Sequence, residues 1–415
     1  MKRLRILISA YACEPNKGSE PGVGWNFISH MAKYHNVVVL TRSNNRHAIE
    51  EALHFSPIPG LQLAYIDLPD WATHWKRGAR GIQLYYYLWQ IWGFWVARRL
   101  HQESPFDLSH HVTFVKYWAP SLMALLPIPF IWGPVGGGDS TPPALLKDLS
   151  CQGQLYERAR NLACRLGEVD PLVRLTARNS LLTFSATPKT AERLRLIGSK
   201  NIRILTQCGM PHTDFATLAP LNNQHSATFR FISIGNLLSL KGFHFALKSF
   251  AKANLPNTEY LIVGSGPEKE RLQALAKNLN IDHRVHFSGK LSRQETLLKL
   301  QSCQVLVHPS LHDSGGMVCI EAMAAEKPVI CLDLAGPALT VTNETGIKIP
   351  AVSSFQIIND LTEAMINLGK NESLREQMGI AGRHRAIGYF SWDEKVKIIQ
   401  QHYQEIVSAF PAVNS

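Results

Sequence analysis

Short apolar runs alternate with longer segments of mixed polarity along the whole chain. In the first half, the runs typical of buried parallel strands are 5–10, 37–40, 61–66, 108–112, 130–132 and 181–185. In the second half, the same pattern predicts strands at 230–234, 260–263, 285–288, 305–308 and 329–332. Because helical segments separate these runs, the sequence predicts an α/β protein with two doubly wound units.

One polar stretch marks the expected division between the two units. Residues 219–226 read Ala-Pro-Leu-Asn-Asn-Gln-His-Ser and form the best linker candidate. We therefore predict an N-terminal domain over 1–218 and a C-terminal domain over 219–385. A last helical segment, from 393 to about 408, follows an aromatic cluster, so residues 386–415 are predicted as a C-terminal helical region.

Composition restricts the class of protein. At 415 residues, with 18% charged and 45% hydrophobic residues, the chain suits two globular domains and not a disordered protein. The seven cysteines form no C-x-x-C pair and no Cys/His cluster, which is typical of reduced thiols in the cytoplasm. The first apolar run is too short for a signal core, and no run of about 20 apolar residues occurs that would favour a spanning helix.

The positive charge is concentrated in the N-terminal half. Residues 1–215 carry 24 Lys and Arg against 15 Asp and Glu, a balance of +9, and the remainder of the chain carries 19 against 17, or +2. We find no nucleic-acid recognition motif and no basic run along one helix, so nucleic acid is not the expected partner. An anionic membrane surface or a phosphate-bearing substrate fits the charge better.

The segment from His308 to Val329 carries the clearest chemical pattern. A predicted strand ends at His308, the loop contains Gly315-Gly316, and a helix is predicted to follow. A glycine loop that opens a helix presents N–H groups to an anion, and the helix dipole favours negative charge there. Acids eight positions apart, Asp313 and Glu321, flank this loop and can accept hydrogen bonds from hydroxyls. These features together predict a nucleotide-sugar site.

This segment resembles the donor-site signature of the retaining glycosyltransferases of family 4, whose usual form is Glu, seven residues, Glu. Here the first acid is Asp313, one methylene shorter. The resemblance covers roughly residues 229–350. It implies the GT-B fold, in which two Rossmann-like doubly wound domains face a cleft and a C-terminal helix crosses back to the first domain.

The resemblance also implies roles for individual residues. Glu321 would accept hydrogen bonds from the ribose hydroxyls, Asp313 would lie against the sugar ring, and Lys241 would bind the diphosphate. At the position where the family places a second cation, this chain has Asn236, which can donate a hydrogen bond but brings no charge. The remaining residues of the implied donor-binding set are Gly235, Gly289, Lys290, Ser314, Gly315, Gly316, Met317 and Val318.

Two of these features have alternative interpretations. Lys241 could be a surface lysine that happens to follow a strand. The sequence Gly264-Ser265-Gly266-Pro267 superficially resembles a dinucleotide fingerprint, but Lys269 stands at the third glycine position, so that interpretation is weak. Family members carry a Gly-x-Gly-Pro turn here, and their next strand-end loop, which would contain Gly289 and Lys290, passes along the nucleobase.

In the N-terminal half, strand-end loops are candidates for the acceptor side of the cleft. The first loop contains Gly18 and Gly22, and a later one contains Gly136 and Gly137. Either could instead be a structural turn. The strand after Asp107 ends at His110-His111; family members often have one histidine that contacts the donor sugar. Adjacent strand residues face opposite sides, so only one of the two can point into the cleft. We favour His111 because it lies nearer the loop, although a packed structural histidine is the alternative for either.

Aromatic and basic residues are interleaved over 71–99. They include Trp75-Lys76-Arg77, Tyr85-Tyr86-Tyr87, Trp89, Trp92, Trp95 and Arg98-Arg99. Such a segment suits a helix at a membrane interface, and we expect it to dock the domain on the inner leaflet near a lipid-linked acceptor. An aromatic core helix is the alternative.

The resemblance implies a retaining, metal-independent hexosyltransferase of the cytoplasm or the inner membrane face. It would transfer a sugar from a UDP- or GDP-linked donor to a lipid-linked or saccharide acceptor in surface polysaccharide biosynthesis. The implied catalytic set is His111, Lys241, Asp313 and Glu321. No cofactor and no metal is expected, since no Asp-x-Asp signature occurs. A catalytically inactive GT-B-like binding or scaffolding subunit, and a GT-B epimerase or phosphorylase, are the alternatives.

Overall fold

The computed structural model describes residues 2–73, 81–219 and 228–410. The predicted linker, apart from Ala219, and the residues Trp75, Lys76 and Arg77 lie outside the described residues. By its internal contacts the chain forms two units. The first comprises Met1–Gly138, Leu162–Gly209 and Trp392–Ser415, and the second comprises Asp139–Asn161 and Met210–Ser391. These units differ from the predicted boundaries mainly because residues 139–161 group with the second half of the chain.

The first unit is built on a parallel sheet of seven strands in the order β3-β2-β1-β4-β5-β6-β7. The strands are β1 (Arg5–Ala10), β2 (Asn36–Thr41), β3 (Leu61–Tyr65), β4 (Leu108–Thr113), β5 (Phe130–Val135), β6 (Leu182–Ser185) and β7 (Ile202–Ile204). Its helices are α1 (Ser19–Met31), α2 (Arg46–Phe55), α3 (Ile82–Glu103), the end of α4 (Cys151–Val169), α5 (Pro171–Asn179), α6 (Pro188–Leu196) and α15 (Trp392–Ala409).

Both faces of this sheet are buried, as expected for parallel strands. Along β1, Ile6 and Ile8 join one apolar cluster, while Leu7 joins the cluster on the opposite face. Helix α15 packs against the Ile6–Ile8 side. Its buried residues Trp392, Val396, Ile399 and Tyr403 recur at helical spacing along one stripe.

The second unit contains a parallel sheet of six strands in the order β10-β9-β8-β11-β12-β13. The strands are β8 (Phe229–Ile234), β9 (Thr258–Val263), β10 (Val285–Gly289), β11 (Val305–His308), β12 (Val329–Leu332) and β13 (Gly346–Ile349). Its helices are the start of α4, α7 (His212–Thr217), α8 (Phe243–Ala253), α9 (Lys269–Asn278), α10 (Arg293–Gln301), α11 (Met317–Ala324), α12 (Ala335–Thr340), α13 (Ser354–Lys370) and α14 (Glu372–Phe390). Leu145 and Leu149, from the segment 139–161, are buried in its core.

These observations confirm the predicted fold class: two Rossmann-like units, each with a parallel sheet. In both sheets the strand order reverses beside the first strand of the unit, between β1 and β4 and between β8 and β11. Ligands of doubly wound sheets bind outside the carboxyl ends of the strands at such a reversal. The residues that follow β1, β4, β8 and β11 are therefore the first places to search for function.

The aromatic segment forms most of helix α3 and has two chemically different faces. Tyr85, Tyr86 and Trp89 are buried in the core of the first unit, whereas Trp92 and Trp95 are 43% and 55% exposed. The structure thus bears out the core interpretation for one face and leaves the other available for an interface. In the described residues, no helix is long and apolar enough to cross a membrane.

Candidate functional site

Two loops meet at the reversal of the second sheet. Residues 235–242 follow β8 and residues 309–316 follow β11, and the Leu311 N–H donates to the carbonyl of Leu240 at 2.9 Å. Gly242 permits this approach. Its φ is +69°, and a Cβ added there would lie 2.0 Å from the Pro309 carbonyl oxygen. The two loops are therefore packed backbone to backbone, which fixes the position of Lys241 beside the Gly-Gly loop.

The carboxylate of Asp313 lies at the centre of this arrangement. Its Oδ2 accepts from the Lys241 ammonium at 2.8 Å and lies 3.1 Å from His308 Nε2. Its Oδ1 accepts from the N–H groups of Gly315 and Gly316, at 3.1 and 3.0 Å. Burial acts to raise the pKa of Asp313, but Lys241, His308 and the Gly316 N–H outweigh it and hold that pKa well below its usual value. The side chain is thus a carboxylate at neutral pH.

This geometry divides the predicted anion-binding loop into two parts. The N–H groups of Gly315 and Gly316 already have an acceptor within the protein, namely Asp313. Helix α11 begins at Met317, and among the described residues we find no acceptor for the N–H groups of Met317 and Val318. The first turn of a helix leaves such donors for a ligand. Met317 and Val318 are therefore the best placed of the loop residues to bind an anion.

Glu321 lies one turn further along α11 and is only 4% exposed. Its Oε1 accepts from Arg293 Nη1 at 2.7 Å, and the other guanidinium nitrogen of Arg293 is paired with Asp214. Burial raises the pKa of Glu321, and the neighbouring Arg293 opposes this shift. Arg293 therefore orients the acid to which the resemblance assigns the ribose. Neither Arg293 nor Asp214 was predicted from the sequence.

The other predicted donor residues line the strand-end loops of the same sheet. Gly235 follows β8 directly, and Asn236 beside it is exposed. Gly289 ends β10, and Lys290 is exposed after it. Ser314 is half-buried in the loop before α11. All five thus lie at or just after the carboxyl ends of β8, β10 or β11; their individual roles stay predictions.

The segment 139–161 supplies contacts to both loops that the sequence did not indicate. Glu157 is fully buried, and its Oε1 lies 3.7 Å from Nδ1 of His312, the neighbour of Asp313. Burial acts to raise the pKa of Glu157, but His312 and other groups outweigh it, and the pKa is lowered. In the other loop, Ser239 Oγ accepts from the Ser150 N–H at 2.8 Å. This segment therefore supports the loops that carry Lys241 and Asp313.

In the first unit, the two histidines of β4 face opposite sides of the sheet. His110 is completely buried: Nε2 donates to the Gly133 carbonyl at 2.7 Å, so Nδ1 accepts from the hydroxyl of Tyr403 on α15 at 2.5 Å. Burial lowers the pKa of His110 to about 3, although the Gly133 carbonyl opposes this. His110 is therefore neutral and connects β4 to α15, which matches the packed structural histidine considered above.

His111 is buried too, but it keeps one unused ring nitrogen. Its Nε2 lies 3.2 Å from the Thr113 carbonyl and 3.1 Å from the Tyr86 hydroxyl. Its Nδ1 has no hydrogen-bond partner among the described residues. Burial lowers the pKa of His111 to about 4, so this ring is also neutral. The assignment of His111 to the donor sugar stays a prediction.

The predicted acceptor-side glycines flank the carboxyl ends of β1 and β5. Gly18 precedes α1, and Gly22 lies in its first turn, where an added Cβ would be 2.0 Å from the Lys17 carbonyl oxygen. Gly136 and Gly137 follow β5 and run beside the residues that follow β4. Their placement at the edge of the sheet agrees with the strand-end position predicted for them; an acceptor role is not tested by it.

Comparison with known proteins finds relatives of most of the second unit. Residues 221–385 match the family model of the glycosyl transferases group 1. The lipopolysaccharide core biosynthesis glycosyltransferase LpsE of Rhizobium meliloti strain 1021 is 27% identical over 217 residues, which are 52% of this chain and 61% of that relative. The N-acetyl-alpha-D-glucosaminyl L-malate synthase of Bacillus anthracis is 29% identical over 178 residues, which are 42% of this chain and 45% of that relative. The chain therefore spans less than two thirds of the length of these curated relatives.

Solved structures extend the likeness to the whole chain at the level of the fold. Sucrose-phosphate synthase from Thermosynechococcus elongatus has a TM-score of 0.68 at 18% identity. The likeness covers 98% of this chain and 100% of the synthase chain. Anabaena HepE in complex with UDP and glucose has a TM-score of 0.61 at 16% identity, with coverage of 98% and 100%. The protein therefore has the GT-B fold. The family match of residues 221–385 and the fold agree with the resemblance to the family 4 glycosyltransferases.

Proposed function

We propose that this protein is a glycosyltransferase that binds a nucleotide-diphosphate sugar in its second unit. One observation carries the proposal: three kinds of ligand-binding group lie on two touching loops and one helix at the reversal of the sheet. They are the Lys241 ammonium, the N–H groups of Met317 and Val318, and the buried carboxylate of Glu321. A cation and a helix N-terminus suit a diphosphate, and a buried carboxylate suits ribose hydroxyls. HepE, a structural neighbour, was crystallised with UDP and glucose, which supports a UDP-linked donor.

The chemistry we infer is transfer with retention and without a metal. The bond between the anomeric carbon and the diphosphate breaks while an acceptor hydroxyl attacks from the same face, and the acceptor proton passes to the leaving phosphate oxygen. Lys241 and the N–H groups of α11 stabilise the charge that develops on the leaving diphosphate. The acceptor is a saccharide or lipid-linked glycan of a surface polysaccharide, in line with the lipopolysaccharide role in the printed name of LpsE.

A transfer assay tests this proposal directly. Purified protein is incubated with UDP- or GDP-linked hexoses and glycan acceptors, and release of nucleoside diphosphate is measured together with the anomeric configuration of the product. We expect turnover that is retained in EDTA and lost in Lys241→Ala, with the anomeric configuration of the donor preserved. Inverted product, or undiminished transfer by Lys241→Ala, would contradict the mechanism.

A non-catalytic GT-B-like binding subunit is the second candidate. It is favoured by Asp313, whose carboxylate occupies the N–H groups of Gly315 and Gly316, and by the neutral Asn236 at a position where the family has a cation. Such a protein would bind a nucleoside diphosphate weakly and turn over no donor. Turnover with any nucleotide sugar rejects this candidate.

We also propose that the exposed face of α3 contacts an anionic membrane surface at the cytoplasmic face. Trp92 and Trp95 are exposed there, and the Arg98 guanidinium carbon lies 5.8 Å from the Trp95 ring centre. Aromatic rings next to cations suit the interface between lipid head groups and acyl chains. We expect the double variant Trp92→Ser/Trp95→Ser to sediment less with anionic liposomes than wild type does. Phe55→Ser, a change at a residue 79% exposed on α2, is the control and should sediment as wild type.

A further inference from the structure

The residues that follow β4 form a row with an unusual composition at the carboxyl edge of the first sheet. Phe114, Lys116 and Trp118 are half-buried, whereas Val115 and Tyr117 between them are buried in the core. The two rings lie on either side of the Lys116 ammonium, so the first three side chains are close together. We call Phe114, Lys116 and Trp118 the aromatic row.

The cation of the aromatic row lies close to both of its rings. The ammonium of Lys116 is 4.5 Å from the ring centre of Phe114 and 5.0 Å from that of Trp118, and it donates to Gln83 Oε1 at 2.9 Å. Cation–π attraction and the hydrogen bond hold the long side chain in place. The row therefore presents aromatic surface and positive charge side by side.

Glu20 adds an acceptor at the end of the row. Its Oε2 accepts from the Phe114 N–H at 3.0 Å. Phe114 has a φ of +63°, a left-handed conformation that is rare for a residue with a bulky side chain, and the bond to Glu20 stabilises it. Burial raises the pKa of Glu20, whereas the Phe114 N–H and the Lys116 charge lower it. A carboxyl oxygen in this setting can accept from a ligand hydroxyl.

The glycine loop after β5 is hydrogen-bonded to the backbone of the row. The Gly136 N–H donates to the Val115 carbonyl at 3.0 Å, and the Tyr117 N–H donates to the Gly136 carbonyl at 3.1 Å. Gly137 has a φ of +91°, and an added Cβ would lie 3.4 Å from the indole nitrogen of Trp118. The two glycines predicted for the acceptor side thus support the backbone that carries the row.

We propose that Glu20 and the aromatic row bind a saccharide that carries a carboxylate or phosphate group, as the acceptor of the transfer. The C–H face of a pyranose ring is apolar and packs on aromatic rings, a hydroxyl reaches Glu20, and the anionic group reaches Lys116. The assignment of this saccharide as the acceptor rests on the proposed function; the binding site itself does not.

Ligand-observed NMR titration of the full-length protein tests the site without donor or turnover. The probes are glucuronic acid, glucose 6-phosphate, methyl glucoside and inorganic phosphate. We expect both anionic sugars to bind about tenfold more tightly than methyl glucoside or phosphate. Lys116→Gln should remove the preference for anionic sugars, and Trp118→Leu should weaken binding of every sugar by roughly tenfold. The controls Lys33→Gln and Trp71→Leu change exposed residues elsewhere in the unit and should bind as wild type.

Two measurements separate this site from the donor site. Lys116→Gln keeps the core residues, so its affinity for UDP should equal that of wild type. If UDP does not bind but the anionic sugars do, the proposed function fails and the saccharide site stands.

Equal binding of methyl glucoside and glucuronic acid, equal binding of phosphate and glucose 6-phosphate, or an unchanged preference in Lys116→Gln would each overturn the inference. Since Lys116 is half-exposed, the last test does not depend on Trp118→Leu folding.

Discussion

The two sheets have the same kind of strand reversal but opposite chemistry at their carboxyl edges. In the second unit, cations meet carboxylates: Lys241 is paired with Asp313, and Arg293 with Glu321 and Asp214. In the first unit, the edge carries the neutral histidine His110 and the aromatic row, in which the one cation, Lys116, lies between two rings. The topology creates a place for a ligand in both sheets, and the side chains decide which ligand it is. Paired cations and acids suit a nucleoside diphosphate, whereas aromatic rings beside one cation suit a sugar that carries a negative charge.

The contrast extends to buried cations. Arg293 is surrounded by acids, which raise its pKa against the effect of burial. Lys395 on α15 is 2% exposed and donates to the Thr206 carbonyl, and burial lowers the pKa of its ammonium to about 8. The buried cation of the second unit is therefore held by two acids, one of them Glu321, while the buried Lys395 of the first unit has a structural position on α15.

The largest expected effect is on stability. His110→Ala removes the link between β4 and α15 and leaves the Gly133 carbonyl and the Tyr403 hydroxyl buried without a partner. We expect a loss of about 2–4 kcal/mol in the free energy of unfolding, measured by chemical denaturation. The affinity for UDP, a property of the second unit, should be unchanged. A variant that keeps its stability but binds UDP more weakly would contradict the separate roles assigned to the two sheet edges.

The second effect is on donor binding. Lys241→Ala removes the cation of the donor loop and leaves the Asp313 carboxylate to repel a diphosphate. We expect the Kd for UDP, measured by calorimetry, to rise by roughly 10- to 100-fold, since a hydrogen bond to a charged group contributes about 1.5–3 kcal/mol. Lys248→Ala, at an exposed position on α8, is the matched control and should bind UDP as wild type.

The third effect is a dependence of stability on pH. Because the folded pKa of Lys395 is about 8 and below that of the unfolded chain, the unfolded state binds more protons between these two values. The contribution of Lys395 to stability therefore rises with pH through this window, by about 1–2 kcal/mol between pH 7.5 and 9.5. Denaturation at both pH values should show this rise as the difference between wild type and Lys395→Met. A difference that does not change with pH would show that Lys395 is not the responsible group.

The smallest expected effect is a gain in affinity for UDP, whereas Lys241→Ala causes a loss. Asp313→Asn keeps an oxygen for the N–H groups of Gly315 and Gly316 but removes the negative charge beside Lys241. We expect UDP to bind several-fold more tightly, about 1 kcal/mol, because Lys241 no longer shares its charge with a carboxylate. Transfer should fall nevertheless, since the resemblance places Asp313 against the sugar. Weaker UDP binding in this variant would indicate that Asp313 orients Lys241 and does not compete with the ligand.

The fold could be predicted largely from the apolar runs, and the two strands that were missed have a common reason. Strands β7 and β13 lie at sheet edges, and most of their residues are not fully buried. Each is only three or four residues long and includes a basic residue, Arg203 or Lys348, so it leaves a weak pattern in the sequence. Strands buried on both faces, such as β1 and β11, were predicted at the residues where they occur.

The site could be predicted only where its residues follow one another in a motif. Asp313 and Glu321 share a loop and helix with a recognisable spacing, and Lys241 follows a strand end at a family position. By contrast, Arg293 contacts Glu321 from 28 positions away, and the partner of His110 is 293 positions away on α15. Such pairs are created by tertiary packing and leave no local signal. For the same reason, the sequence could not distinguish the environments of His110 and His111.

The central claim is that the second unit is a nucleotide site in which Glu321 binds the ribose. Calorimetric titration of UDP, GDP and ADP into wild type, a folded Glu321→Ala variant and the exposed control Glu405→Ala tests it most directly. We expect selective binding of one nucleotide by wild type and by the control, with affinity reduced roughly tenfold or more in Glu321→Ala. Absence of binding by all three nucleotides, or equal affinity in wild type and Glu321→Ala, would contradict it.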